Sequence, residues 1–247
     1  MVRAPLAPMH EKPNPASVQT SQRLSGHEMD LLANEGDWFL ARGSDAFEGW
    51  MHKAVLAPAP KSGARRSSQI VRISIGSVVS SATGERRLLP LGARLAPDDI
   101  VRAGEVVEQP QLPVKFPRTA LAITRSAKLY FEGTPYIWGG ITPWGADCSG
   151  FVQTIYGLHG VPLPRNAAQQ GELGDDVARE KMESADLAFF SDTGDGKVTH
   201  VGIVLGENRM VHVSLGRAGL YIENLGDRRD PYAKQLAERF VRARRVL

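Results

Sequence analysis

The pattern of apolar and polar positions changes character near residue 119. Upstream, short apolar runs alternate with turn residues. Trp38-Phe39-Leu40-Ala41-Arg42, then Gly43-Ser44-Asp45, then Phe47-Glu48-Gly49-Trp50-Met51 predict a hairpin of aromatic-bearing strands around a polar turn. Apolar runs over 70–75, 78–80, 88–95 and 100–107 predict a second small β-unit. Between the two, Lys61-Ser62-Gly63-Ala64-Arg65-Arg66-Ser67-Ser68 has the composition of a loop or linker. Residues 1–16, with Pro5, Pro8, Pro13 and Pro15, read as an extended arm. Residues 109–118, with Pro110, Pro113 and Pro117, read as a second linker. The implied division is an arm over 1–16, β-units over 17–60 and 61–108, a linker over 109–118 and a third unit over 119–247.

In that third unit, Ala120, Ile123, Ala127 and Tyr130 recur at helical spacing and predict a helix before the glycine-rich turn near 133–140. Phe151, Val152, Ile155 and Leu158 predict a second helix that begins at about Cys148. Runs over 187–190, 200–205, 210–214 and 220–222 read as strands. Helices followed by hairpin-connected strands imply an α+β unit with an antiparallel sheet.

Composition narrows the functional classes. The chain has 247 residues, 42% hydrophobic and 23% charged, which supplies apolar material for cores and excludes a disordered chain, a collagen or a coiled coil. Net charge is +3, from 30 basic and 27 acidic residues, and the basic residues are mostly dispersed, so no nucleic-acid partner is expected. Arg239, Arg242, Arg244 and Arg245 form one basic stretch, which reads as a solvated face or a strand end rather than a phosphate grip. No run approaches the ~18 apolar residues of a membrane span. The first residues lack the apolar core of a secretory signal, so a cytoplasmic protein is expected, or an exported one if a signal segment has been removed. A single cysteine leaves no disulfide framework within the chain and no Cys-rich metal site.

That cysteine stands in Asp147-Cys148-Ser149-Gly150, at the start of an amphipathic helix. The unpaired N–H groups of a helix start lower a thiol pKa, so Cys148 is expected to be activated there. The plainer alternative is a buried cysteine behind an ordinary Asp147 N-cap. A thiol nucleophile needs a base and a group to orient that base. His10, His27 and His52 read as surface or turn residues, and His159 as a helix end beside Gly160. His200 and His212 fall in adjacent predicted strands. An even register sum between those strands puts both imidazoles on one face as diagonal neighbours, and an odd sum puts them on opposite faces.

Tyr136-Ile137-Trp138-Gly139-Gly140, Asp147-Cys148-Ser149-Gly150-Phe151-Val152-Gln153, Leu163-Pro164-Arg165, Asp186-Leu187-Ala188-Phe189-Phe190 and His200-Val201-Gly202-Ile203-Val204 occur in that order. Over about residues 119–247 the chain resembles the NlpC/P60 family of papain-like cysteine peptidases, which cut bacterial cell-wall peptides. The resemblance implies Cys148 as nucleophile, His200 as base, His212 as the residue orienting that base, and Tyr136 beside the oxyanion. It implies that Asp147, with Ser149 lining the same pocket, holds the free amino group of a short muropeptide. Residues 36–38 and 45–50 are similar to the bacterial SH3-like units fused to such peptidases. In those fusions an SH3-like unit can limit substrates to peptides with a free N-terminal L-Ala, followed by γ-D-Glu and a diamino acid. The implied reaction cuts the γ-D-glutamyl–diamino acid bond without metal or cofactor, as in recycling of wall peptides. A catalytically silent wall-binding protein, and an amidase or acyltransferase on the same thiol scaffold, remain alternatives. The chain departs from the family pattern at Ala185, where glycine is frequent and little consequence is expected. It also departs at Asn166-Ala167-Ala168, where a hydroxyl is common, and at Phe47, where tyrosine is frequent.

Overall fold

The computed structural model describes residues 1–58 and 70–247, so the predicted loop over 61–68 lies outside the described residues. The chain divides into two compact units, Met1–Leu112 and Pro113–Leu247.

The first unit holds two antiparallel sheets. Strands β1 (Leu6–His10), β2 (Gln19–Leu24), β3 (Asp30–Glu35), β4 (Trp38–Arg42) and β5 (Glu48–His52) form one sheet in the order β2-β1-β5-β4-β3. The aromatic hairpin is present, with β4 and β5 paired from Trp38↔His52 to Arg42↔Glu48. The N-terminal stretch is not an arm. Leu6 to His10 pairs with Leu24 to Gln19, and Ala7 and Met9 alternate into a core with Val2, Ala41 and Met51. Pro8 is tolerated in the strand because β1 meets β5 only at His10↔Trp50, leaving most of that edge without ladder bonds to supply. The second sheet, β6 (Arg72–Ser80), β7 (Arg86–Leu89) and β8 (Ile100–Glu108), has the order β7-β6-β8. The two apolar runs at 70–75 and 78–80 are a single strand whose register slips between Ser74 and Ser77, around Gly76 at φ +84°.

The second unit begins inside the predicted linker. A single turn, α1 (Leu112–Lys115), leads to Phe116, which is buried against Tyr130 and His159. Residues 113–118 therefore pack as part of this unit. Helix α2 (Ala120–Tyr130) is capped by the Thr119 side chain and buries Ile123 and Ala127. The short pair β9 (Ile141–Thr142) and β10 (Gly145–Ala146) precedes α3 (Cys148–Leu158) and α4 (Ala167–Gln170). Strands β11 (Asp175–Val177), β12 (Leu187–Phe190), β13 (His200–Gly206), β14 (Arg209–Ser214) and β15 (Gly219–Asn224) are followed by α5 (Pro231–Glu238) and β16 (Phe240–Arg245). The six strands form an antiparallel sheet ordered β11-β16-β12-β13-β14-β15. The basic C-terminal stretch is β16, and its arginines are engaged: Arg245 pairs with the buried Asp186, Arg244 with Asp176 and Arg242 with Glu172.

Helix α3 packs on this sheet through Phe151, Val152, Ile155 and Tyr156, all fully buried, and the Tyr156 hydroxyl donates to Ala185 O at 2.5 Å. The helix start lies close against the preceding loop. A Cβ on Gly150 would fall 2.1 Å from the Gly140 carbonyl oxygen, so only glycine fits where the chain enters α3. Ala185 has φ +68°, a left-handed conformation that costs a non-glycine residue about 1 kcal/mol, so replacing the family's frequent glycine is not neutral for the backbone.

Candidate active site

The position of the cysteine is set by the residue before it. Asp147 is the N-cap of α3, and Cys148 is the first helical residue. Asp147 Oδ1 accepts from the Gly150 N–H at 2.8 Å, and Oδ2 accepts from the Gly139 N–H at 2.8 Å. Arg165 lies across the same carboxylate, donating from Nη1 to Oδ1 at 3.0 Å and from Nη2 to Oδ2 at 2.5 Å. The Ser149 hydroxyl donates to Oδ1 at 3.3 Å and accepts from Arg165 Nη1 at 2.9 Å. All three side chains are buried. Gln170 fixes the segment that carries the arginine, donating to Pro164 O at 2.8 Å and to Ser149 O at 3.1 Å. The carboxylate thus receives five donors from the chain itself. Asp147 and Ser149, implied as receptors for a substrate ammonium, are engaged in this network.

The Cys148 sulfur meets the backbone N–H groups of Val201 and Ser149, which places it beside the residue that follows His200. His200 opens β13, and its Nε2 lies 2.7 Å from His212 Nδ1 on β14, with the two rings nearly perpendicular. Their meeting depends on a bulge. The two-residue turn at Glu207-Asn208, with both φ values positive, pairs Gly206 with Arg209. That offset, continued, would put the imidazoles on opposite faces. A register shift between Val204 and Gly206 brings Val204 opposite Met210 and Ile203 opposite Val211, and this even register puts His200 and His212 on one face.

Burial governs the protonation of the cluster. It pushes the Cys148 thiol up to about 12, with the Asp147 charge adding to the rise and the two N–H contacts opposing it. The expected activation of the thiol by the helix start alone is therefore overturned, because the desolvation cost of a thiolate outweighs the favourable end of the helix. Burial, and then repulsion from His212, holds His200 well below its usual 6.5. His212 is also lowered by burial, with Glu223 opposing that effect. Burial thus favours a neutral thiol and a neutral imidazole. Tyr136 is half-buried, and its N–H donates to Ala218 O at 3.0 Å. Burial and the nearby Cys148 and Asp147 raise its pKa, so it remains a phenol able to donate. Tyr136, Asp147, Cys148, Ser149, His200 and His212 therefore form one cluster.

The remaining histidines lie elsewhere. His10 and His52 pack edge-on against Trp38, and His159 caps the end of α3 with its ring bonded to Pro117 O and Ser126. Among the described residues, no group of three or more His, Cys, Asp or Glu is arranged to hold a metal ion, and no helix is long and apolar enough to cross a membrane. Sequence reasoning assigned no role to Arg165, although it lies in a quoted motif, or to Glu223. Glu223 directly follows the apolar run over 220–222, and nothing in the sequence around it marked it.

The sequence model of the NlpC/P60 family matches residues 133–245, which contain the whole cluster. A gamma-D-glutamyl-L-lysine dipeptidyl-peptidase of Bacillus subtilis is 27% identical over 240 residues, covering 89% of this chain and 80% of that protein. A probable endopeptidase of Haemophilus influenzae is 36% identical over 113 residues, 45% of this chain and 69% of that one. Other curated relatives are matched over less than two thirds of their own length. The crystal structure of an NlpC/P60 family protein from Bacillus cereus superposes with a TM-score of 0.80 at 21% identity, covering 100% of this chain and 98% of that chain. It shares the fold, with a papain-like second unit.

Two outcomes are expected from this geometry. Arg165→Met leaves a buried carboxylate without its cation and lowers unfolding free energy in denaturant titration by ~3–5 kcal/mol; a loss below about 1 kcal/mol would show that the ion pair does not hold the helix start. Alkylation of Cys148 by iodoacetamide, followed by mass spectrometry on the chain's one cysteine, should keep accelerating above pH 9, because the thiolate fraction of a raised-pKa thiol is still growing there. A rate that levels off below pH 7 would reveal a preformed thiolate instead.

Proposed function

The chain belongs to the NlpC/P60 family, and from that premise we propose that it is a cysteine peptidase cutting the γ-D-glutamyl–diamino acid bond of peptidoglycan stem peptides with a free N-terminal L-Ala. One observation carries the reading. A lone thiol at a helix start touches the Val201 N–H, next to a His200 whose far nitrogen is bonded to His212. A nucleophile, a base and a group orienting the base in that order constitute the machinery of acyl transfer. The choice of bond is supported by the printed activity of the Bacillus subtilis relative, a gamma-D-glutamyl-L-lysine dipeptidyl-peptidase.

In this mechanism, His200 Nδ1 takes the thiol proton as Cys148 sulfur attacks the γ-glutamyl carbonyl carbon. The developing oxyanion is held by the Cys148 backbone N–H at the helix start and by the Tyr136 phenol. The tetrahedral intermediate collapses, the bond to the diamino acid breaks, and His200 gives its proton to the leaving amine. The thioester is then hydrolysed by a water that His200 deprotonates, releasing L-Ala-γ-D-Glu and restoring the thiol. A neutral resting pair suits this cycle, because His200 must hold the proton only between attack and departure. Asp147 would meet the substrate ammonium with its charge already shared by Arg165, so recognition of the free amine draws on the whole Asp147–Arg165–Ser149 network. On this proposal the two sheets of the first unit are SH3-like accessory modules, and the cellular setting is recycling of wall peptides in the cytoplasm.

Cys148→Ala, assayed with L-Ala-γ-D-Glu-L-Lys and its diaminopimelate counterpart, should release no dipeptide, while the wild type releases it and loses most of its rate when the alanine is N-acetylated. Undiminished turnover in the variant would remove Cys148 from the chemistry. A wild type that turns over nothing yet is retained on insoluble peptidoglycan would favour a wall-binding role.

A further inference from the structure

His212 has a neighbour that the Cys148–His200–His212 assignment does not use. Glu223 lies on β15, where it pairs with Met210, and is 1% exposed, as buried as the imidazole it faces. Its Oε1 lies 3.5 Å from His212 Nε2, longer than a good hydrogen bond, and among the described residues Nε2 has no other partner. Arg217 holds the carboxylate in place, donating from Nε to Oε1 at 2.5 Å and from Nη2 to Oε2 at 3.0 Å. The guanidinium is itself fixed by Asp230 at 2.5 Å and by contacts with the Tyr221 and Tyr232 rings. The groups facing His212 are therefore His200 on β13, Glu223 on β15 backed by Arg217, and Tyr232 on α5, with Asp192 acting from further away.

We infer that Glu223 is a positioning residue that fixes the tautomers of both histidines, so that the unprotonated nitrogen of His200 is the one available to Cys148. An ionised carboxylate has no proton to donate, so the buried His212 Nε2 beside it must carry the hydrogen. A neutral imidazole has one N–H, which leaves His212 Nδ1 bare. That nitrogen lies 2.7 Å from His200 Nε2 and can only accept, so the hydrogen of His200 sits on Nε2. His200 Nδ1 is then the unprotonated nitrogen, able to receive the thiol proton. The pair at Arg217 and the contact with His212 lower the Glu223 pKa against the effect of burial, which keeps the carboxylate ionised. Burial keeps both imidazoles neutral. The opposite chain of tautomers would put the hydrogen on His200 Nδ1 and close the base. The logic is that of the aspartate in a serine protease triad, moved one residue further from the nucleophile.

The inference deepens the peptidase reading and rests on it only for turnover; the tautomers themselves can be observed without substrate. In protein carrying ¹⁵N-labelled histidine, long-range couplings from the ring nitrogens to Hδ2 and Hε1 should report His200 and His212 as Nε2–H tautomers in the wild type. A His200 protonated on Nδ1 would overturn the inference, whatever bond the enzyme cuts. Glu223→Gln can donate from its amide, which permits the inverted chain. It should lose Nε2–H character at both histidines, slow iodoacetamide labelling of Cys148, and lower kcat by about a hundredfold or more with KM changed less than about threefold. Wild-type tautomers and kcat within about twofold in that variant would also overturn it. If Glu223→Gln does not fold, the wild-type tautomers still decide the matter. If the tautomers are as inferred but no muropeptide is cleaved, the peptidase reading fails and the role of Glu223 stands.

Discussion

The buried ion pair between Asp147 and Arg165 is the contact on which the cluster depends. Asp147 supplies the cap that starts α3, joins that start to Gly139 in the loop carrying Tyr136, and accepts both nitrogens of a guanidinium brought in from the segment before α4. Three stretches of chain therefore converge on one carboxylate. Cys148 is the next residue, so its sulfur has little freedom to move relative to the β13 backbone. A buried carboxylate without a cation would be too costly to keep, and a buried arginine without its carboxylate equally so; each makes the other tenable. The absence of room for any side chain at Gly150 is part of the same arrangement, because the helix must begin in contact with the Gly140 carbonyl.

The same burial that makes the pair rigid determines the chemistry. A desolvated thiolate next to Asp147 is unfavourable, and so is a desolvated imidazolium next to His212. The cluster therefore rests without charge on sulfur or on either ring, and needs a defined path for one proton. Behind His212, charge is admitted where Glu223 is balanced by Arg217 and Arg217 by Asp230. On the proposed function, the site is a neutral reaction centre held between two charged clusters, one at the start of α3 and one behind His212. Each cluster is built from groups that reach no reacting atom.

Much of this was legible in the chain, for identifiable reasons. The apolar spacing of Phe151, Val152 and Ile155 marked α3, and the motif around Cys148 marked its first residue. The neighbouring strands β12 to β15 follow the hairpin-connected reading, whereas β16, which crosses back through α5 to pair with β12, was not foreseen. The shared face of His200 and His212 was not legible, because it depends on a single bulge between Val204 and Gly206 that periodicity cannot reveal. The N-terminal strand was hidden by Pro5 and Pro8, whose usual meaning fails where one strand edge is nearly free of ladder bonds. The raised thiol pKa could not be read from a helix start either, since it depends on the sheet and loops that close over the sulfur. Arg165 and Glu223 carry no local signature of their importance. Their roles arise from partners 18 and 11 positions away along the chain, Asp147 and His212.

The proposed peptidase mechanism requires that a neutral Cys148 become the acyl carrier by passing its proton to His200. Rapid acid quenching during the first turnover of L-Ala-γ-D-Glu-L-Lys, followed by mass spectrometry of the intact chain and its Cys148 peptide, tests this most directly. A hydroxylamine-labile adduct on Cys148 with the mass of an L-alanyl-γ-D-glutamyl group is expected. Turnover with an unmodified Cys148 at every quench time, or an adduct on another residue, would contradict it.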